Sequence, residues 1–275
     1  MRNKPDSSDR LEALRALALA PALVATSGNG VGGPRFATGL AALDNHLGGG
    51  LGAAALHDLY AEGGSDAPAA LGFALGLAWR AAEVSGQGRP LVWGLDEGSR
   101  REIGRPYGPG LAELGLDPDR VLLVEVRDAA ALLGVGEEAL GSPAVGAVVL
   151  GAWGTSKVFS LTASRRLSMA ARAAGRTLML VRAGADPTPG AAETRWRVRA
   201  ATSAPLEAGA PGHPAVEAAL IRHRGGVAPR TWIMEWDREQ RSFIAPPPLS
   251  GGLVSRPADR AGHASAPGEG LRRAG

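Results

Sequence analysis

Runs of consecutive apolar residues recur along the first two-thirds of the chain, with helix-like segments between them. Because a strand that is apolar along its whole length is buried on both faces, such runs are typical of parallel sheets covered by helices. The runs that we interpret as strands are Ala53–Tyr60, Leu91–Leu95, Val121–Val126, Ala144–Leu150 and Thr177–Val181. The segments that we interpret as helices are Ala69–Ser85, Leu111–Leu116, Asp128–Leu140 and Ser160–Ala174. This alternation predicts an α/β fold with a mainly parallel sheet flanked by helices on both faces.

The last third of the chain has a different pattern, in which polar and apolar side chains alternate. Three such segments, Arg195–Ala201, Ala218–Arg224 and Thr231–Trp236, are separated by turns that contain Gly or Pro. Alternation is typical of antiparallel strands, so these segments predict a short antiparallel extension near the C-terminus, at one edge of the sheet. The two tryptophans and the methionine of the last segment share one face, which we interpret as core packed against a helix.

The two ends of the chain differ from its middle, so we predict three parts. Residues 1–25 are predicted to be a disordered start followed by a short helix that either packs onto the core or docks on a partner. Residues 26–244 are predicted to form the core domain, and residues 245–275 a disordered Pro/Gly/Arg-rich tail. Arg2 and Lys4 precede an apolar run as in a secretion signal, but acidic residues such as Asp9 interrupt the region. No run is long enough to span a membrane, so we expect a cytoplasmic protein.

Composition excludes several kinds of site. The 275-residue chain has no cysteine, which excludes disulfides, thiolate zinc sites and cysteine nucleophiles. The five histidines lack the spacing of a metal site, and no Gly-x-Ser-x-Gly elbow of a serine hydrolase is present. Lys4 and Lys157 are the only lysines among 30 basic residues, and the net charge of +3 permits nucleic-acid binding without indicating it. We expect neither a metal nor a cofactor.

The first predicted strand is followed by a glycine-bearing loop and a helix, which is the layout of a nucleotide-binding phosphate loop. Such a loop needs a lysine for the outer phosphates and, next to it, a Ser or Thr for magnesium. Here the loop has no lysine and ends in an aspartate, which repels phosphate; its residues are Glu62, Gly63, Gly64, Ser65 and Asp66. Gly151-Ala152-Trp153 stand where an acidic residue would position magnesium. We predict a degenerate loop without ATPase chemistry, with nucleotide binding at the amides of its two glycines as the alternative.

Two further patterns match a nucleotide site only formally. Gly28-x-Gly30-x-x-Gly33 has the spacing of a dinucleotide fingerprint, but Pro34 follows it instead of a helix. Asp96 and Glu97 end the second predicted strand, at a position suited to a catalytic base. Since no phosphate or metal ligand accompanies them, we interpret this pair as helix capping or surface charge, and we predict no catalytic residue.

Arginines are the remaining candidates for binding. The three arginines of Arg195–Ala201 fall at period two, so they share one face of a strand, and those of Ala218–Arg224 repeat the pattern. If the two strands are neighbours, five guanidinium groups line one surface that could grip a phosphate backbone or an acidic partner. A solvated face balanced by carboxylates is the alternative. The predicted DNA or partner contacts are Arg165, Arg166, Arg195, Arg197, Arg199, Arg222 and Arg224.

Four stretches, taken together and in order, resemble one protein family. They are Leu43-Asp44-x-x-Leu47-Gly48-Gly49-Gly50, Gly104–Leu111 with Leu114–Pro118 after it, Leu161–Leu167 and Thr194–Val198. Each stretch is unspecific alone, but their order and spacing are similar to those of the ImuA-type damage-inducible mutagenesis proteins of the RecA-like superfamily. This resemblance implies a RecA-like version of the α/β fold.

The resemblance also implies a function. It is that of a non-enzymatic accessory protein of SOS-induced, error-prone translesion DNA synthesis, associated with the nucleoid. The implied partners are an ImuB-like polymerase-family protein and an error-prone DnaE-type polymerase, and RecA is a further candidate. Two alternatives stay open: a divergent RecA/RadA-type DNA-dependent ATPase and a cell-division inhibitor similar to SulA. The missing phosphate-loop lysine argues against the ATPase.

Overall fold

The computed structural model describes residues 33–247, apart from 87, 205–209 and 211. Its strands are β1 Arg35–Phe36, β2 Leu51–Gly52, β3 Leu56–Ala61, β4 Leu91–Asp96, β5 Val121–Val126, β6 Ala147–Trp153, β7 Thr177–Ala183, β8 Thr194–Ala200, β9 Ala215–His223, β10 Arg230–Asp237 and β11 Ser242–Ile244. Its α-helices are α1 Ala41–His46, α2 Ala67–Ser85, α3 Glu97–Ile103, α4 Gly108–Glu113, α5 Ala129–Gly141 and α6 Leu161–Ala174. Short 3₁₀ turns, Gly64–Asp66 and Pro118–Arg120, precede α2 and β5.

Nine strands form one sheet in the order β11-β10-β9-β8-β3-β7-β6-β4-β5, so that β3 is its middle strand. From β8 to β5 every neighbouring pair is parallel, and β3, β4 and β7 are buried along their whole length. Helix α2 packs with the larger apolar cluster on one face, while α5 and α6 pack with the second cluster on the other. The predicted α/β fold class, with a mainly parallel sheet flanked by helices on both faces, is confirmed.

The antiparallel extension is confirmed, but it begins one strand later than predicted. β8 pairs with β3 in the parallel direction, whereas β9, β10 and β11 each pair antiparallel with the strand before them. The alternating pattern of β8 was misleading because alternation reports that one face of a strand is polar; it does not report the direction of its neighbour. In β10 the side chains of Trp232, Met234 and Trp236 are buried, which confirms them as core.

Most predicted elements differ from the structure by one to three residues at an end, and two of these differences have a visible cause. The strand predicted at Ala144–Leu150 is β6, which starts three residues later because the Val145 N–H closes a turn on the Ser142 carbonyl. The helix predicted at Leu111–Leu116 is α4, which starts at Gly108, since Pro109 fits the first turn of a helix.

A triple-glycine turn leads the chain into the central strand. Gly48, Gly49 and Gly50 all have positive φ angles, of 69°, 108° and 101°. A Cβ on Gly50 would lie 2.1 Å from the carbonyl oxygen of Phe36, so only glycine fits there. The guanidinium of Arg35 donates to the carbonyls of Leu47 and Gly50, which fixes the turn against β1.

Some predictions concern residues outside the described ranges. These are the disordered start and helix of residues 1–25, the Gly28-x-Gly30 part of the dinucleotide pattern, and the tail from residue 248 onward. Among the helices of the described ranges, none is both long enough and apolar enough to cross a lipid bilayer.

Candidate functional site

The loop after β3 is closed by its own aspartate. Asp66, at the end of the loop, accepts the N–H of Gly63 at 3.0 Å through one carboxylate oxygen and the N–H of Ala200 at 2.9 Å through the other. Free backbone N–H groups at such a loop are what a phosphate requires. In this protein a carboxylate already occupies the amide of Gly63, and it ties the loop to the end of β8.

An indole covers the same loop. Trp153, the last residue of β6, packs so closely that a Cβ added to Gly64 would lie 3.2 Å from its Cη2 atom. The ring also lies beside Gly184, where an added Cβ would be 3.5 Å from Cε2. Trp153 stands where the sequence lacks the acidic residue of a magnesium site, and its apolar ring offers no ligand to a cation.

Asp96 and Glu97 engage in local contacts at the end of β4. Asp96 accepts the N–H of Ser99 at 2.7 Å and so caps α3. Glu97 forms an ion pair with Arg101, with 2.6 Å between the charged groups. The interpretation of this pair as helix capping and surface charge is therefore confirmed.

A second feature is a basic groove beside α6, which we name the arginine cleft. It has a volume of about 370 Å³ and lies between α6 and the end of β9, over a floor that includes Gly190 and Ala191. The side chains that define it are Leu161, Arg165, Met169, Arg172, Arg222 and Arg224. A neighbouring groove of about 580 Å³ shares Arg172 and Arg224 with the cleft and is also lined by Arg35 and by one acidic residue, Glu193.

Helix periodicity supplies one wall of the arginine cleft. Arg165, Met169 and Arg172 are spaced four and three residues apart, which aligns them on one face of α6. Leu167 and Ala171 lie on the buried face of the same helix. The Ser160 side chain caps the start of α6, and the Ser164 hydroxyl accepts the N–H of Ala191 at 2.8 Å, which ties the helix to the floor of the cleft.

A β-bulge supplies the other wall. Trp196 of β8 is paired with Leu220, but the preceding residue, Arg195, is paired with Arg222, so Ile221 is one extra residue on β9. Strict alternation would place Arg222 on the buried face with Leu220. The bulge turns it to the opposite face, toward α6.

The predicted arginines fall into two groups. Strands β8 and β9 are neighbours, as expected, but Arg195 does not reach the surface: its side chain is 9% exposed and lies 3.4 Å from Asp58. The expectation of five guanidinium groups on one surface is thus wrong for this residue, because β8 is an inner strand whose face is covered at this point by the loop of Gly190. The other predicted arginines with a carboxylate partner are Arg166 with Glu137, Arg197 with Glu62 and Arg199 with Glu217.

The remaining predicted arginines, Arg165, Arg222 and Arg224, are exposed and make no ion pair with any carboxylate in the described ranges. Arg224 follows β9 instead of lying within it. Sequence reasoning missed Arg172 and Met169, although their helical spacing from Arg165 was visible in the sequence. What the sequence did not show is that this face of α6 meets the end of β9.

Burial shapes the electrostatics beneath the cleft. It raises the pKa of the Asp58 carboxyl above its ordinary value, while the neighbouring Arg195 guanidinium acts in the opposite direction. Within the described ranges, no group of three or more His, Asp or Glu side chains is arranged to hold a metal ion. The four guanidinium groups of the arginine cleft suit it to binding an anionic group by charge and hydrogen bonding.

Comparison with known proteins identifies relatives of the chain. No family model matches it. Over 181 residues it is 34% identical to Protein ImuA of Caulobacter vibrioides, in strain NA1000 / CB15N and in strain ATCC 19089 / CIP 103742 / CB 15 alike. That alignment covers 62% of this chain and 68% of the relative. A crystal structure of the RadB recombinase covers 76% of this chain and 99% of its own, with a TM-score of 0.48 and 18% identity. By its similarity to the Caulobacter protein over two-thirds of that protein's length, the chain belongs to the ImuA family.

Proposed function

We propose that this protein is a non-enzymatic, RecA-like accessory protein of damage-induced mutagenesis, and that it acts through contacts with other proteins of error-prone DNA synthesis. Membership of the ImuA family supports the cellular role. The proposed partners are an ImuB-like polymerase-family protein, an error-prone DnaE-type polymerase and RecA, and the proposed place of action is the nucleoid in the cytoplasm.

The proposal that the protein is not an enzyme is supported by the residues and contacts of the loop after β3. Nucleotide hydrolysis by a phosphate loop depends on free amides, a lysine and a metal ligand. Here Asp66 takes the amide of Gly63, Trp153 packs on Gly64, and no lysine is present in the loop. A phosphate at this loop would meet the carboxylates of Glu62 and Asp66, and the guanidinium of Arg197, which lines the same groove, is already paired with Glu62. This arrangement is electrostatically unfavourable for a phosphate.

Titration calorimetry and a phosphate-release assay test this proposal. We expect no saturable heat on addition of Mg²⁺-ATP and no hydrolysis, with or without single-stranded DNA. A RecA-type recombinase measured under the same conditions is the positive control. Micromolar affinity for ATP would contradict the proposal and favour the alternative of a divergent DNA-dependent ATPase.

Affinity purification tests the partner contacts. The tagged full-length chain, expressed in the organism that encodes it and isolated after DNA damage, is expected to retain the ImuB-like protein of the same genome. An untagged strain treated in the same way controls for non-specific capture. Recovery of the cell-division protein FtsZ in place of a polymerase-like protein would favour the SulA-like alternative.

A further inference from the structure

The arginine cleft concentrates unpaired positive charge. Arg165, Arg172, Arg222 and Arg224 line it, and none of them forms an ion pair with a described carboxylate. The charge of Arg222 also acts on the buried Asp58, where it opposes the effect of burial and helps to lower the pKa of that carboxyl. Arg166 of α6 and Arg199 of β8 differ in this respect, since each pairs with a neighbouring acid. Four like charges around one groove repel each other, so an anionic occupant would relieve that repulsion.

Apolar side chains are exposed in the same cleft. Met169 is 70% exposed and Leu161 is 41% exposed, and both lie on the wall that α6 forms with its arginines. Arg and Met are enriched in protein–protein interfaces, where a buried apolar contact is surrounded by polar groups. Surfaces that bind single-stranded nucleic acid usually offer aromatic rings for base stacking, and no aromatic side chain lines this cleft in the described ranges. Its chemistry therefore favours a peptide over a nucleic acid.

The terminal segments of the chain carry the same sign of net charge as the arginine cleft. Residues 1–32 contain four basic and three acidic side chains, and residues 248–275 contain four basic and two acidic ones. Both segments are net positive and do not complement a cleft lined by arginines. The charge pattern therefore indicates a segment of another protein.

We propose that the arginine cleft is the docking site for a partner segment in which carboxylates flank an apolar side chain. In this arrangement Arg165 and Arg172 on one wall and Arg222 and Arg224 on the other bind the carboxylates, and Met169 and Leu161 contact the apolar side chain. The inference rests on the proposed function in one respect, namely that the protein acts through partner contacts.

A displayed library of random peptides provides a probe that presupposes no partner. The library is selected on the wild-type full chain and, in parallel, on the Arg165→Glu/Arg222→Glu variant. We expect the wild type to enrich peptides that combine Asp or Glu with Leu, Ile, Met or Phe, and the variant not to enrich them. Selected peptides, synthesised with a fluorescent label, are expected to bind the variant at least about tenfold more weakly.

Matched controls separate the cleft from the general surface. Arg101→Glu/Arg127→Glu changes the net charge equally at two exposed side chains outside the cleft, and it is expected to retain peptide binding. Met169→Ser is expected to weaken binding roughly fivefold or more, whereas Val84→Ser, at another exposed apolar side chain, is expected not to. Circular dichroism of each variant verifies that it is folded.

Three results would overturn the inference. One is enrichment of the same peptides by the wild type and by Arg165→Glu/Arg222→Glu. Another is unchanged peptide binding by Met169→Ser, which would show that charge alone accounts for the binding. The third is that the wild type binds oligo(dT) more tightly than any peptide and that only the arginine variant loses this binding. That result would make the cleft a nucleic-acid site. None of these results involves ATP, so failure here is distinguishable from failure of the non-enzymatic proposal.

Discussion

Single residues decide the state of the loop after β3. Asp66 resembles an internal substitute for an anion, because its two carboxylate oxygens satisfy one amide of the loop and one amide at the end of β8. Both bonds involve a charged acceptor, which makes them stronger than bonds between neutral groups. Asp66 therefore occupies an amide of the loop and also ties the loop to β8.

We expect Asp66→Ala to lower the free energy of unfolding by about 1–3 kcal/mol, because the amides of Gly63 and Ala200 lose their acceptor. Urea denaturation measures the change. Asp186→Ala, which removes an exposed carboxylate from the same region without a hydrogen bond in the described ranges, serves as the control and is expected to change little. Equal stability of Asp66→Ala and wild type would show that these two bonds contribute nothing.

A buried histidine of β3, His57, contacts both β2 and β8 through its two ring nitrogens. The indole N–H of Trp196 donates to the Thr194 hydroxyl at 2.7 Å, and that hydroxyl lies 2.7 Å from Nδ1 of His57. Nε2 of His57 lies 2.9 Å from the carbonyl of Gly52, which can only accept. Nε2 therefore donates to this carbonyl, and in the neutral imidazole Nδ1 is free to accept the hydroxyl proton of Thr194. Burial is the main cause that lowers the pKa of His57.

The lowered pKa of His57 predicts a pH dependence of stability. The unfolded chain protonates this imidazole below its ordinary pKa of 6.5, while the folded chain keeps it neutral. The stabilisation is complete above that value and is lost as the pH falls through the folded-state pKa. We expect the free energy of unfolding to fall more steeply with acidification than in His57→Gln, by at most about 1.4 kcal/mol per pH unit. Urea titrations at several pH values measure both slopes, and parallel slopes would contradict the prediction.

At the scale of elements, helix α2 is held against the antiparallel extension by close contact at one glycine. A Cβ on Gly76 would lie 2.8 Å from both the Phe243 ring of β11 and the Trp236 ring of β10. Gly72, one turn earlier on the same helix, is exposed and has no atom within 4 Å of such a Cβ. The two positions are alike in sequence, and only their neighbours distinguish them.

We expect alanine at these two glycines to have opposite effects. Gly72→Ala is expected to stabilise the protein by about 0.5–1 kcal/mol, because alanine has less backbone freedom to lose in a helix. Gly76→Ala is expected to destabilise it by about 1–3 kcal/mol, because the rings of Trp236 and Phe243 must move. Thermal denaturation of both variants measures the changes. Stabilisation by both substitutions would mean that α2 does not pack closely on the extension.

At the scale of the whole molecule, the parallel sheet and its antiparallel extension share one apolar cluster. This cluster joins α2 to residues of β4, β6 and β7 as well as to residues of β8–β11. The extension therefore has no core of its own, and its strands are buried on one face by the same helix that covers the parallel strands.

We expect the molecule to unfold in a single cooperative transition. The fluorescence of the buried Trp79, Trp196 and Trp236, which lie in α2, β8 and β10, is expected to change together with the far-ultraviolet circular dichroism as urea rises. Two separate transitions would contradict the shared core and show that the extension unfolds independently.

The amino-acid sequence by itself determined the class of fold and the absence of a lysine from the loop after β3. Apolar runs such as Leu91–Leu95 are buried in any arrangement that the chain can adopt, so their pattern indicates a parallel sheet covered on both faces. The missing lysine and the aspartate at position 66 are properties of the residues themselves and are visible without the fold.

Only the tertiary structure decided how the binding surface is assembled. The direction of β8, the bulge at Ile221 and the meeting of α6 with the end of β9 depend on contacts between residues far apart in the chain. Periodicity reports which side of one element is buried; it does not report which element lies beside it. The seven predicted arginines look alike in the sequence, and only the fold distinguishes their environments. Arg195 is buried against Asp58, while Arg165 and Arg222 both line the arginine cleft.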